Sequence, residues 1–320
     1  MKSLMTIVVP CFNEEEVLPL FMEAIGPVRS ELLGRECSTE LIFIDDGSGD
    51  KTLDLLRSYN AADESVRYIS FSRNFGKEAG IYAGLKESKG DYVVLLDADL
   101  QHPVEYIPKM YDILTTPDPE NGNEGGLYDS AAMYRADRKG EGRIRSAFSK
   151  CFYRLMNRLS KINLVDGATD YRMMTRKMVD AVLSMEEYNR FTKGIFNWVG
   201  FDTVWMPYNN VERKAGSSKW SFGSLLKYSL EGMFAFSTTP LTISFSLGIL
   251  FCLIAMVFAV YVVIKTIIWG DPVAGYPTLF CIITFFGGIQ LLFLGIMGQY
   301  MSKMYLEVKK RPKYIIKEQK

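Results

Sequence analysis

The sequence predicts an open, mostly parallel α/β domain followed by a membrane region with two spanning helices. Three observations carry that expectation. Strand-like apolar runs alternate with helix-like segments through the first third of the chain, the pattern of a parallel sheet joined by right-handed crossovers. The run Tyr92–Leu96 ends abruptly in Asp97-Ala-Asp99, a polar tip of the kind found beyond the carboxyl ends of strands, where such sheets bind ligands. Between Pro240 and Ser302 only Lys265 and Asp271 interrupt an apolar sequence.

Leu4–Pro10 reads as a buried first strand, and Asn13 before Glu14-Glu15-Glu16 reads as a helix N-cap with acidic residues in the favourable first turn. Leu18, Leu20, Phe21 and Ile25 continue that helix. Leu41–Ile44 is a second strand ending in the polar tip Asp45–Asp50, with a helix from about Lys51. Val66–Phe71 and Lys77–Ser88 repeat the pair, and Tyr92–Leu96 follows. If extended geometry persists to its tip, Asp97 and Asp99 project to one side with Gln101 next in the row. Such hard oxygen ligands suit Mg²⁺ or Mn²⁺. The alternative is that the two carboxylates cap a turn before a helix at Pro103.

Thr115–Gly126 is turn-rich and acidic, and reads as a solvated loop. Asp129–Tyr134 resumes a strand. Arg135, Arg138, Arg143 and Arg145 then form a cationic patch leading into a helix over Ile144–Leu159; an ordinary solvated face is the competing reading. Asp166–Arg172, a helix from Thr175 and an aromatic segment, Phe191–Trp205, complete the first domain. Trp220–Phe236 carries apolar residues at helical spacing and suits a helix lying in the membrane interface. Leu241–Ile264 and Pro277–Ile296 are long and apolar enough to cross a hydrocarbon core of about 30 Å. The short connection Trp269–Tyr276 lacks lysine and arginine, whereas Lys303, Lys309, Lys310, Arg311 and Lys313 follow the second span. The positive-inside rule therefore puts the first domain and the C-terminus on the cytoplasmic side.

Bulk composition excludes several classes. Lysine plus arginine and aspartate plus glutamate balance at 37 each, so no global positive charge points to nucleic acid. With His102 the only histidine, a histidine zinc site or a Ser-His-Asp triad is nearly excluded. The five cysteines show no C-x-x-C spacing and read as buried thiols of a reducing compartment. The N-terminal apolar run is too short for a signal peptide.

Val9-Pro-Cys-Phe-Asn-Glu14, Asp45-Asp-Gly-Ser48, Phe71-Ser-Arg-Asn-Phe-Gly76, Leu96-Asp-Ala-Asp-Leu-Gln-His-Pro103 and Arg213-Lys-Ala-Gly-Ser-Ser-Lys219 together resemble the inverting family 2 glycosyltransferases of GT-A fold. The resemblance is in particular to the polyprenyl-phosphate glycosyltransferases, which include dolichol-phosphate mannose synthases and bactoprenol glucosyltransferases. The resemblance implies a Rossmann-like GT-A domain over 1–219, an interfacial amphipathic helix over 220–238, and a membrane domain over 239–320 with spans at about 241–265 and 276–299 and a basic cytoplasmic tail.

It also implies site roles. Pro10, Phe12, Glu14 and Asp46 would surround the donor nucleotide, with Asp97, Ala98 and Asp99 against it, and Asp99 and Gln101 would join Asp97 in holding the metal. Arg135, Arg145, Ser149, Arg213, Ser218 and Lys219 would handle the acceptor phosphate. Asp170 matches a candidate catalytic aspartate, as base or as sugar-orienting group; Asp99 and Arg145 complete the catalytic set. The bland alternatives are strand terminator for Pro10, core aromatic for Phe12, helix-start carboxylate for Glu14, turn former for Asp46, and a loop or helix-cap role for Asp170.

The implied reaction moves one sugar from a nucleotide sugar, UDP-glucose being the leading donor, to undecaprenyl phosphate at the inner membrane, for a cell-surface glycan. A separate flippase is expected downstream, and self-association stays open. A GDP-mannose-using synthase is the nearest rival, and a non-catalytic membrane scaffold the rival of another class. Lys77-Glu78 receives no role from the sequence.

Overall fold

The computed structural model describes residues 3–118, 123–126, 128–136, 165, 167–208, 237–269 and 275–320. Three βα pairs open the chain: β1 (Ser3–Cys11) and α1 (Leu18–Gly34), β2 (Cys37–Asp45) and α2 (Thr52–Ala62), β3 (Val66–Phe71) and α3 (Lys77–Glu87). Then come β4 (Tyr92–Leu95), α4 (Ile107–Thr115), β5 (Pro117–Asp118), β6 (Asn123–Gly126), β7 (Ser130–Arg135), β8 (Ala168–Thr175), α5 (Arg176–Ser184), α6 (Thr192–Trp198) and β9 (Thr203–Tyr208). Two long helices, α7 (Thr239–Trp269) and α8 (Tyr276–Lys309), and a last strand, β10 (Ile316–Gln319), complete it.

Eight strands form one sheet in the order β10-β3-β2-β1-β4-β8-β7-β9. The block β3-β2-β1-β4 is parallel, as the alternation predicts, and β8 and β10 flank it antiparallel. Alternate β1 side chains serve two cores: Met5, Ile7 and Val9 pack with Leu18, Phe21, Ile25 and Leu32 of α1, while Val8 packs with Ala83 and Leu85 of α3. The sheet is therefore covered on both faces, and its strands read as near-continuous apolar runs for that reason. Helix α3 lies unusually close, since a Cβ at Gly84 would fall 2.1 Å from Val8 Cγ1.

Several expectations change. Asn13 does not cap α1, which starts at Leu18 with Pro19 in its first turn and no side-chain cap. Asn13 instead takes a left-handed φ of 53° and accepts a hydrogen bond from Gly49 N, tying two strand-end loops together. The predicted loop Thr115–Gly126 contains the β5–β6 hairpin. The basic tail is not only a tail, because β10 adds an antiparallel edge to β3 and Tyr314 stacks on Phe71 with ring centroids 4.8 Å apart. Thr175 does cap α5, accepting from Met178 N.

Windows in α7 (Thr239–Phe258) and α8 (Phe285–Lys309) are long and apolar enough to cross a membrane, with mean hydropathies of 2.5 and 1.2 and no part of either buried within the protein. Leaving that much apolar side chain uncovered is stable only against lipid or another apolar surface. The predicted helix Ile144–Leu159 and the amphipathic stretch Trp220–Phe236 lie outside the described residues.

Candidate active site

The carboxyl ends of the parallel strands converge on one edge, and their loops build the site. Asp45, closing β2, accepts from Ser48 N and the Ser70 hydroxyl, which folds the tip back sharply. Gly47 makes that turn at φ +69°, and a Cβ there would lie 2.5 Å from the Arg73 backbone. Only glycine fits such a conformation and such an approach. Buried Asp46 accepts from Phe75 N at 2.6 Å and Gly76 N at 2.9 Å. Burial raises its carboxyl pKa, and these two N–H donors pull the other way. Asp46 therefore fixes the loop that opens α3, alongside any contact with a nucleotide. Pro10, Phe12 and Glu14 line the neighbouring β1 end half-buried, and Glu14 N donates to Thr52 Oγ1.

The D-x-D tip differs in one respect from the sequence reading. Strand β4 stops at Leu95, so Asp97–Leu100 is a turn, with Leu100 at φ 54°. The facing survives: Ala98 and Leu100 are buried, at 3% and 7% exposed, while Asp97 and Asp99 stay partly open. Asp99 accepts from Gln101 N at 3.1 Å, an Asx-type contact that holds the tip. The turn-capping reading and the open-face reading thus both describe Asp99.

What the sequence did not show is Lys77. Its ammonium, on the first residue of α3, lies 2.7 and 2.9 Å from the two oxygens of Asp97 and 2.9 Å from Asp170 Oδ2. Asp170 on β8 is thereby brought beside the D-x-D tip. Burial alone would raise the Asp170 carboxyl, yet Lys77, with Lys193 and Arg172 behind it, holds it well below the usual carboxylate range. Desolvation would lower the Lys77 ammonium, and Asp170 and Asp97 hold it well above the usual lysine range. Lys77 and Asp170 are therefore both charged at neutral pH. Arg172, 2% exposed, stacks its guanidinium 3.9 Å from the Phe196 ring centroid, and burial brings its pKa down to about 10.

Two neighbours fix this cluster. Glu78 accepts from the backbone N–H and the hydroxyl of Thr192, locking α3 to α6. His102 is 7% exposed, its Nδ1 stands 3.9 Å from Asp97 Oδ2, and its ring packs against Tyr171 and Tyr208. Burial lowers the imidazole pKa, so it is neutral here. Of the predicted acceptor-phosphate residues only Arg135, at the end of β7, falls among the described residues; its charge faces the Tyr208 hydroxyl. Arg145, Ser149, Arg213, Ser218 and Lys219 lie outside them.

A metal fits the chemistry of Asp97 and Asp99 as hard oxygen donors, and Asp97 already attracts a cation, the Lys77 ammonium. Among the described residues no group of three or more His, Cys, Asp and Glu side chains forms a protein-only cage.

Residues 6–183 match the family model described as glycosyl transferase family 2. The chain belongs to that family. It is a glycosyltransferase with a GT-A-like, mostly parallel α/β sheet. CsbB of Bacillus subtilis (strain 168) is 41% identical over 317 residues, 99% of this chain and 92% of its own length. The SfII prophage-derived bactoprenol glucosyl transferase of Shigella flexneri is 38% identical over 313 residues, 98% of this chain and 97% of its own. Among solved structures, the mannosyltransferase PcManGT from Pyrobaculum calidifontis, in complex with GDP-Man and Mn²⁺, is a distant likeness: 15% identity, TM-score 0.46, covering 96% of this chain and 85% of its own.

Proposed function

We propose that this glycosyltransferase moves one glucose from UDP-glucose to a polyprenyl phosphate, with inversion at the anomeric carbon, at the cytoplasmic face of the membrane. The observation that carries the reading is the likeness to a bactoprenol glucosyl transferase along 98% of this chain, apolar helices included. A soluble acceptor would give no reason for a family 2 domain to run directly into two exposed apolar helices.

The acceptor needs little activation. A phosphate monoester has its second pKa near about 6, so at neutral pH it is largely a dianion and already a nucleophile. One of its oxygens attacks the anomeric carbon, the C–O bond to the diphosphate breaks, and the nucleoside diphosphate leaves with the electron pair. Arg135, Arg145, Ser149, Arg213, Ser218 and Lys219 receive the acceptor phosphate and align it, and alignment itself can supply much of the rate. Pro10, Phe12, Glu14, Asp46 and Ala98 form the nucleotide side. Asp97, Asp99 and Gln101 would hold Mg²⁺ or Mn²⁺, whose chemistry when bound is Lewis-acid stabilisation of the departing diphosphate. Asp170, ionised and engaged by Lys77, is a weak base. It orients the sugar and faces the positive charge that develops at the anomeric carbon.

The test is the purified full-length protein in detergent with undecaprenyl phosphate, Mn²⁺ and, separately, UDP-glucose, UDP-galactose and GDP-mannose. Glucosyl-phosphoprenol and stoichiometric UDP are expected from UDP-glucose. A preference for GDP-mannose would replace the donor assignment, and no nucleotide release from any donor would refute the reaction.

A further inference from the structure

We propose that Lys77 is the resident counter-ion of the donor site and that the divalent cation displaces it from Asp97 when the donor binds. The inference rests on the donor-site reading above and adds an order of events to it.

The ammonium contacts both oxygens of Asp97, the bidentate position a cation takes on a carboxylate, and Asp170 at the same time. Its root is held from two sides. Gly76 precedes it at φ +95° with its N–H bound to Asp46, and Glu78 follows it, bound to Thr192. The side chain is 38% exposed, so the ammonium is reached from the open face of the site rather than sealed in the core. Lys77 is thus a fixed cation on a short leash, with a choice of two carboxylates.

A dication on Asp97 and an ammonium on the same two oxygens repel each other strongly at contact distances. Only one can stay. Without donor, Lys77 already compensates Asp97, and a free metal ion must pay for its removal. The donor diphosphate changes the balance, because it adds negative charge that both the metal and the released ammonium can use. Asp170 then keeps hold of Lys77 from the other side. Metal and donor consequently bind together, and the empty site does not fill with metal alone. Lys77 is a positioning residue in this account: it sets where Asp170 points and when Asp97 is free.

The experiment is Mn²⁺ binding to the full-length protein in detergent, read by the free-ion electron paramagnetic resonance signal, without nucleotide and with UDP. Lys77→Met is expected to bind Mn²⁺ at least about tenfold more tightly than the wild type without nucleotide, because a competing cation is gone. Its gain from added UDP should shrink accordingly. Lys77→Arg should keep the weak nucleotide-free binding. A misfolded variant cannot gain affinity, and Lys77→Gln supplies a polar replacement if Lys77→Met folds poorly. Equal or weaker nucleotide-free Mn²⁺ binding by folded Lys77→Met or Lys77→Gln would overturn the exchange. If Asp97→Asn and Asp99→Asn leave Mn²⁺ binding with UDP unchanged, the donor-site reading itself fails, and the exchange with it.

Discussion

Glu78→Gln gives a quantitative handle on the wall behind the cluster. The Glu78 carboxyl is pushed up to about 7 from an ordinary value of 4.5, first by burial and then by the Asp170 charge, against the Thr192 donors and Arg190. A carboxyl whose folded pKa is raised binds its proton more tightly when folded. The resulting stability is complete below the unfolded value and is lost as pH rises from about 4.5 through about 7. The gap of roughly 2.5 units corresponds to about 3 kcal/mol. Glutamine keeps a carbonyl for Thr192 N and can donate to the Thr192 hydroxyl, yet it never ionises. Wild type and Glu78→Gln should therefore be about equally stable near pH 4.5, and by about pH 8 the variant should be more stable by up to ~3 kcal/mol. In a chain of this size that is a Tm difference of roughly 4–5 °C. The assay is thermal unfolding in one detergent across that pH range. A difference that does not change with pH, or a wild type that gains on the variant as pH rises, refutes the reasoning.

Three further outcomes are expected. Asp99→Ala should cut turnover by about 100-fold or more at saturating metal, since the leaving diphosphate loses its electrophile; turnover near wild type would remove Asp99 from the metal set. Asp170→Asn should lower kcat by about 10-fold to 100-fold without moving the pH–rate profile between about pH 6 and pH 9, because the wild-type carboxylate is ionised throughout that range; an apparent pKa that vanishes in the variant would make Asp170 a general base. Gly84→Ala should cost about 1–3 kcal/mol in unfolding experiments, as its Cβ would press into Val8, and an unchanged Tm would mean that α3 can lift off the sheet freely.

The parts of this molecule legible in the sequence are those written in local runs. The apolar stretches of β1 to β4 and the polar tips that end them need no distant partner to be recognised. The same holds for Asp97-Ala-Asp99, whose facing was predicted from strand geometry and is delivered by a turn. Lys77 was invisible because its meaning lies in Asp97, 20 positions on, and Asp170, 93 positions on. A lysine at the start of a helix is, locally, a poor choice against the macrodipole, and that misfit was the available signal. Asn13 misled in the opposite way. Its cap chemistry is real, but Gly49 claims the side chain, and the helix waits until Leu18. Strand β10 was hidden by its own charge, since Lys317, Glu318 and Lys320 make it read as a solvated tail. Its pairing is tertiary: Glu318 reaches Arg57 at 2.6 Å and Tyr68, both far earlier in the chain.

The end of α8 and the segment leading into that strand also tie the apolar helix to the sheet domain. At the end of α8, Glu307 accepts from Tyr188 N at 2.9 Å and Asn189 N at 3.1 Å. Lys313 donates to Glu186 O at 2.8 Å and lies over the Tyr82 ring of α3, while Tyr314 covers Phe71 at the end of β3. The segment so gripped, Glu186–Phe191, leads directly into Thr192, the residue that holds Glu78. A tilt of α8 would therefore be felt first by Thr192 and Glu78, one residue from the ammonium that joins Asp97 to Asp170. An exposed pair such as Arg57–Glu318 is worth little by itself, typically under about 1 kcal/mol. The stacked aromatic and the paired backbone do more, because they fix the angle at which the apolar helices leave the domain. The angle of α8 is thereby coupled, through Thr192 and Glu78, to the wall beside Lys77, Asp97 and Asp170.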